Sequence, residues 1–311
     1  MRRESTREVV FFVQAGGLIG TGHLSRARAV SAALQDMGFT CHLYLDADAK
    51  SGVSAGNWRM ASIDMLPSTP SALVIDAVKL NRMQANKLRH YGPRILISPV
   101  FNRADMVTHA LVRAAPPALQ NDLPDSADLR ITTDYAFATA HGLRRRMFNF
   151  EKLQIGLCLS GGVDPMEPNS VLTLLDGLGQ VVEIVLIDRR RVVPVQTPLR
   201  HVSHVESPWN FLKGINVFIG GDGVMLAEAI AQGLPAISLS RPGGNAKNAG
   251  LVESGALRVI ARDATMLFAL GDLLGDRAEL EEMHRAAIGL NGASRATRLA
   301  QDIRTILEEN A

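Results

Sequence analysis

Short apolar runs alternate with longer segments of helical periodicity through almost the whole chain, and Gly, Pro or Asn punctuates the joins. Runs at 9–13, 41–45, 73–75 and 95–97 read as buried strands of the first half. Between the first two, residues 23–37 place Leu24, Ala27, Val30 and Leu34 at helical spacing, and Gly38 supplies a C-terminal cap. The second half repeats the scheme, with strands expected at 155–159, 181–187, 217–219 and 236–239 and helices at 171–178, 224–232 and 246–254. Residues 293–310 form a last amphipathic helix, with Ala296, Leu299, Ile303 and Leu307 on one side. Strands that are apolar throughout and alternate with helices belong to parallel sheets covered on both faces. This α/β pattern is long enough for two Rossmann-like domains, at 1–147 and 148–311, with the basic stretch 141–146 as the linker. Facing one another across a central cleft, both domains would present the loops at their strands' carboxyl ends to a ligand.

Composition removes several classes of function. The 311 residues include 33 Lys or Arg against 31 Asp or Glu, and a net charge of +2 offers no concentrated basic face for nucleic acid. No apolar run approaches the ~20 residues of a membrane span. The basic N-terminus leads into too short an apolar run for a signal peptide, so a cytoplasmic location is expected. Cys41 and Cys158 lie in apolar strand-like runs and read as reduced, buried thiols. His201 and His204 have the spacing of helical metal ligands but stand in a strand-like stretch, where positions three apart face opposite ways. No metal and no other cofactor is expected.

Three glycine-bearing turns carry the chemistry. The first holds Gly20 and Gly22, followed at once by His23 and, three residues on, Arg26. Its spacing fits neither the dinucleotide fingerprint nor a lysine-bearing phosphate loop. A histidine at the start of a helix sits at the positive end of the dipole, a placement suited to a neutral base. Gly161, Gly162 and Asp164 follow the strand at 155–159; Gly221, Asp222 and Gly223 follow the strand at 217–219. Turns of this kind at helix starts suit phosphate oxygens, and two in one domain suggest a diphosphate. Glu228, in the helix that the third turn opens, is placed to accept hydrogen bonds from ribose hydroxyls.

Gly20-Thr21-Gly22-His23-Leu24-Ser25-Arg26 resembles the G-x-G-H-x-x-R signature of the PseG family, UDP-sugar hydrolases of pseudaminic acid synthesis. Ser160-Gly161-Gly162-Val163-Asp164-Pro165 is similar to a loop of the same family. The stretch 220–239, with Glu228-Ala229 and Gly233-Leu234-Pro235, resembles the nucleotide-binding segment shared with MurG-like glycosyltransferases; Asn245-x-x-Asn248-Ala249 continues it. Near the end, Gly289-Leu290-Asn291-Gly292-Ala293-Ser294-Arg295 is similar to another turn of the family. The resemblance covers residues 10–305 and implies a GT-B fold with a UDP-sugar held mainly by the second domain. It also implies His23 and Tyr135 around the anomeric carbon, with Asn291 as a further sugar contact. The chain departs from the pattern where Ile97-Ser98-Pro99-Val100 replaces an acidic pair, and where Asn245 replaces a glutamine.

The activity this implies is hydrolysis of a UDP-activated amino sugar at its anomeric C–O bond, with His23 taking the proton of the attacking water. A glycosyltransferase of the same fold differs only in the nucleophile, an acceptor hydroxyl. A non-catalytic nucleotide-sugar-binding protein is the third reading.

Overall fold

The computed structural model describes residues 8–16, 21–47, 59–60, 72–140, 148–159, 166–203, 205, 208–241 and 246–310. The chain divides into two compact units, one of Met1–Thr139 with Ala296–Ala311 and the other of Ala140–Arg295.

The first unit runs β1 (Glu8–Ala15), α1 (Gly22–Asp36), β2 (Thr40–Ala47), β3 (Arg59–Met60), β4 (Ala72–Asp76), α2 (Arg82–Leu88), β5 (Arg94–Leu96), β6 (His109–Val112), α3 (Pro117–Asp122) and β7 (Asp128–Ile131). Its seven strands lie in the order β3-β2-β1-β4-β5-β6-β7, and every pairing is parallel. Alternate residues of β1 serve two cores. Val9, Phe11 and Val13 pack with Leu24, Ala27, Val30 and Leu34 of α1, while Val10 and Phe12 pack with Ala85 and Leu88 of α2. A strand with a helix on each face has no polar side, which is why these runs are apolar without alternation. Gly38, at φ 88°, takes the left-handed turn that ends α1.

The second unit contains β8 (Leu153–Cys158), α4 (Asn169–Gly177), β9 (Val181–Ile187), β10 (Leu199–Val202), α5 (Pro208–Leu212), β11 (Val217–Gly220), α6 (Val224–Ala231), β12 (Ala236–Ser240), α7 (Ala249–Glu253), β13 (Leu257–Ala261), α8 (Met266–Gly275) and α9 (Arg277–Leu290). Its strand order is β10-β9-β8-β11-β12-β13, again all parallel. Two Rossmann-like parallel-sheet domains in one chain are the components of a GT-B fold.

The terminal helix departs from the sequence reading. Residues 292–295 form a 3-10 turn, and α10 (Arg298–Glu309) packs not with the second domain but in the first, where Leu299, Ile303, Ile306 and Leu307 join the core beside α1. An apolar stripe shows that a helix must be covered, not by what. Among the described residues, no helix is long and apolar enough to cross a membrane.

Candidate active site

In the first domain β1 and β4 are neighbours, yet the chain leaves β1 toward β2 and leaves β4 toward β5, on opposite sides. The carboxyl ends of such a pair form the switch point at which open parallel sheets bind ligands. His23, in the first turn of α1, and Asp76, the last residue of β4, meet there: His23 Nδ1 lies 2.5 Å from Asp76 Oδ1. Arg26, three residues along the same helix face, holds the carboxylate from both nitrogens of its fork, Nε donating to Oδ2 at 2.8 Å and Nη2 to Oδ1 at 2.5 Å. Asp76 is fully buried and Arg26 nearly so, whereas the His23 side chain keeps 16% of its surface exposed.

Burial alone would push the Asp76 carboxyl up, but the Arg26 and His23 charges and their hydrogen bonds hold it below the usual carboxylate range. An ionised carboxylate only accepts, so in the neutral ring Nδ1 carries the hydrogen and Nε2 presents a lone pair. A proton acceptor oriented by a buried carboxylate is the outcome. The backbone beyond Asp76 is also held, because Gln14 Oε1 accepts the N–H groups of Val78 and Lys79, both at 3.0 Å. Asn102 brackets the next residue, accepting from Leu80 N–H at 2.8 Å and donating to its carbonyl at 3.0 Å. Asp76 lies outside the Gly20–Arg26 motif that carries His23 and Arg26. The available signal was an acid closing the apolar run Leu73-Val74-Ile75, a position that sheet topology turns into a site.

The second domain has its own switch point between β8 and β11. Gly221, Asp222 and Gly223 follow β11, and Gly223 stands at the N-cap of α6 in open space. The turn is tied down at both sides: Gly221 N–H donates to the Cys158 carbonyl at 3.3 Å, and Ser238 Oγ donates to Asp222 Oδ1 at 2.6 Å. Gly220 admits no side chain, since a Cβ there would lie 2.8 Å from the Phe218 ring and 3.2 Å from the Cys158 carbonyl. Glu228 is buried in α6. Asn248 is buried as well, and neither polar atom of its amide has a hydrogen-bond partner among the described residues; Ser240 Oγ, at the end of β12, is in the same condition. Unsatisfied amides of this kind are uncommon and point to a polar guest.

The other expected site residues divide in two. Gly20, Gly161, Gly162, Asp164 and Asn245 lie outside the described residues. Tyr135 and Asn291 are described, and each has a structural task. Tyr135 is buried in the core beside α1, and its hydroxyl donates to Asp302 Oδ2 of α10 at 2.8 Å. Burial and that carboxylate push its phenol up, so it stays protonated. Asn291 caps α9 in the left-handed conformation, at φ 47°, a region that Asn tolerates better than other side-chain-bearing residues. Neither is grouped with His23 by any contact described. His201 is in β10, as its strand-like surroundings indicated, and its Nε2 bonds the Asp188 carbonyl.

Neither a protein-family model nor a curated protein matches the chain. Solved structures do. S. aureus MnaA in a co-structure with UDP aligns at TM-score 0.67 and 12% identity, covering 97% of both chains. The UDP-GlcNAc 2-epimerase of Neisseria meningitidis, bound to UDP-GlcNAc, aligns at 0.61 and 10% identity over 97% of this chain and 100% of its own. Acinetobacter baumannii MurG aligns at 0.61 and 16% identity over 95% and 99%. Further matches are to glycosyltransferases, SnogD of Streptomyces nogalater and WaaG. At such identities the likeness establishes the fold, two Rossmann-like domains of the GT-B kind. The matched structures are of 2-epimerases and glycosyltransferases, which corrects the expectation of a hydrolase that releases free sugar from a PseG-like site.

Proposed function

We propose that this chain is a UDP-sugar-dependent glycosyltransferase. The observation that carries the reading is the His23–Asp76 pair, braced by Arg26, at the switch point of the first sheet. In the reaction, the acceptor O–H gives its proton to His23 Nε2 as its oxygen bonds to the anomeric carbon. The C–O bond to the diphosphate breaks, and UDP leaves with the electron pair. Asp76 stays ionised and stabilises the imidazolium, and base catalysis of this type supplies ~100–10,000-fold in rate. The α6 N-terminus, opened by the turn Gly221-Asp222-Gly223, offers N–H groups to diphosphate oxygens, with Glu228 and Asn248 assigned to the nucleoside. Gly20, Gly22, Gly161, Gly162, Asp164 and Asn245, from the glycine-bearing sequence motifs, belong to the same assignment.

The likeness to structures of a UDP complex and of a UDP-GlcNAc 2-epimerase favours a second reading, inversion at C2 of the sugar. One experiment separates the two. UDP-GlcNAc is incubated with the protein in D2O, with and without a panel of sugar and lipid-like acceptors, and followed by NMR. Transfer requires UDP release that depends on an acceptor and falls at least a hundredfold in His23→Ala. Deuterium entering at C2 without acceptor supports epimerisation instead. No change in any arm removes both.

A further inference from the structure

The amide of Gln14 has every donor and lone pair engaged. Besides the two N–H groups that its Oε1 accepts, its Nε2 donates to the Lys79 carbonyl at 2.8 Å and to Asp46 Oδ2 at 3.1 Å. With four bonds made, the group cannot rotate or flip without losing several of them. Three of the bonds go to backbone; the fourth fixes a carboxylate. Asp46 sits near the end of β2, in register opposite Gln14 on the adjoining strand. It is half-buried, and its Oδ1 takes no hydrogen bond and no ion pair among the described residues.

A rigid carboxylate with a bare oxygen is an acceptor in wait of donors. Its place in the fold is informative. In dinucleotide-binding Rossmann domains, an acid about 20 residues beyond the glycine turn accepts a ribose hydroxyl, and Asp46 has the comparable place here, which shows that a carboxylate so situated can receive sugar hydroxyls. Strand β2 lies beside β1 on the side away from β4, so the Asp46 and Asp76 strands are two spacings apart, about 10 Å. By strand alternation Asp46 shares the face of Phe12 and Tyr44, and Asp76 the opposite face, so Asp46 is not part of the base pair. A ligand lying along the carboxyl edge meets Asp46 directly, whereas Asp76 is fully buried behind His23 and Arg26. Arg26 already offsets the Asp76 charge, which leaves Asp46 to disfavour anionic sugars.

We propose that Asp46, oriented by Gln14, is the residue of the first domain that binds a vicinal diol of an uncharged sugar. This rests on the proposed action on a sugar nucleotide and names the kind of sugar accepted. The diol belongs to the acceptor or to the donor's own hexose, and the test distinguishes them. The full-length wild-type and Asp46→Asn chains are titrated by ligand-observed NMR with UDP, UDP-GlcNAc and methyl α-D-mannopyranoside. The variant keeps the shape of the side chain and the Gln14 bond, and UDP affinity is expected to be unchanged. Affinity for one diol-bearing ligand is expected to fall ten- to hundredfold, the range of a hydrogen bond to a charged group. A loss for UDP-GlcNAc assigns the diol to the donor, and a loss for the mannoside assigns it to the acceptor. Equal or absent binding of both by the two chains overturns the proposal. Failure of the wild-type chain to bind UDP strikes the proposed function instead, and the mannoside titration then decides Asp46 alone.

Discussion

A carboxylate with no exposed surface keeps its charge only when partners replace the water it has lost. Asp76 has two, a forked guanidinium and an imidazole, and together they outweigh its burial. The sign of the resulting pH dependence follows. A carboxyl depressed in the folded state contributes stability that is full above its unfolded value of about 3.9 and is lost as pH falls through the folded one. Acid titration of wild type against Asp76→Asn, followed by near-UV circular dichroism, is expected to show this. The wild type loses stability steeply below about pH 4, whereas the variant starts weaker and changes less over that window. The histidine and arginine of this trio are legible in the sequence because they stand three apart on one helix face. Asp76 is not, since its partners lie 53 and 50 residues away and only the strand order brings it to them. Tyr135 shows a related limit: a motif position states a residue type, while the bond of its hydroxyl to Asp302 is visible only in the fold.

Among the elements, α10 shows most plainly how pattern and placement separate. Its stripe of Leu299, Ile303, Ile306 and Leu307 is visible at helical spacing, and the helix forms within a few residues of where periodicity places it. Its destination is set by the first domain's core, which is left open beside α1, and by the buried Tyr135–Asp302 bond, to which Arg298 adds a contact at 2.8 Å. Ile303 is fully buried, so Ile303→Ala is expected to destabilise the protein by about 2–5 kcal/mol. Urea unfolding read separately in the two domains checks the placement. The loss should fall on the transition of the domain that contains β1, although the helix follows the second domain in the chain. Short elements escaped the sequence reading altogether. β3, β6 and β7 offer two to four residues each, too few for a period to register.

Across the whole molecule, the same wiring occurs twice: a parallel sheet whose order reverses beside its first strand, and a glycine-bearing turn at the reversal. On the proposed function, the second domain binds the nucleotide, and the Asn248 amide is assigned to it. UDP at a hundred times its Kd should add about 2.7 kcal/mol to the stability of the domain that holds it. Differential scanning calorimetry reads this as an upward shift of one transition, reduced in Asn248→Ala; a transition unmoved by UDP would contradict the assignment. Residue types and their spacing were sufficient for the architecture, because apolar runs of strand length, helical stripes and glycine stops are local consequences of backbone geometry and of burial. They also place His23 in the first turn of α1, behind Gly22. Tertiary structure alone decided that Asp76 and Arg26 complete a charged trio with it, that Tyr135 and Asn291 serve packing and capping, and that the last helix returns to the first domain. Those outcomes depend on which distant surfaces meet, and a contact between residues far apart in the chain leaves no periodic trace along it.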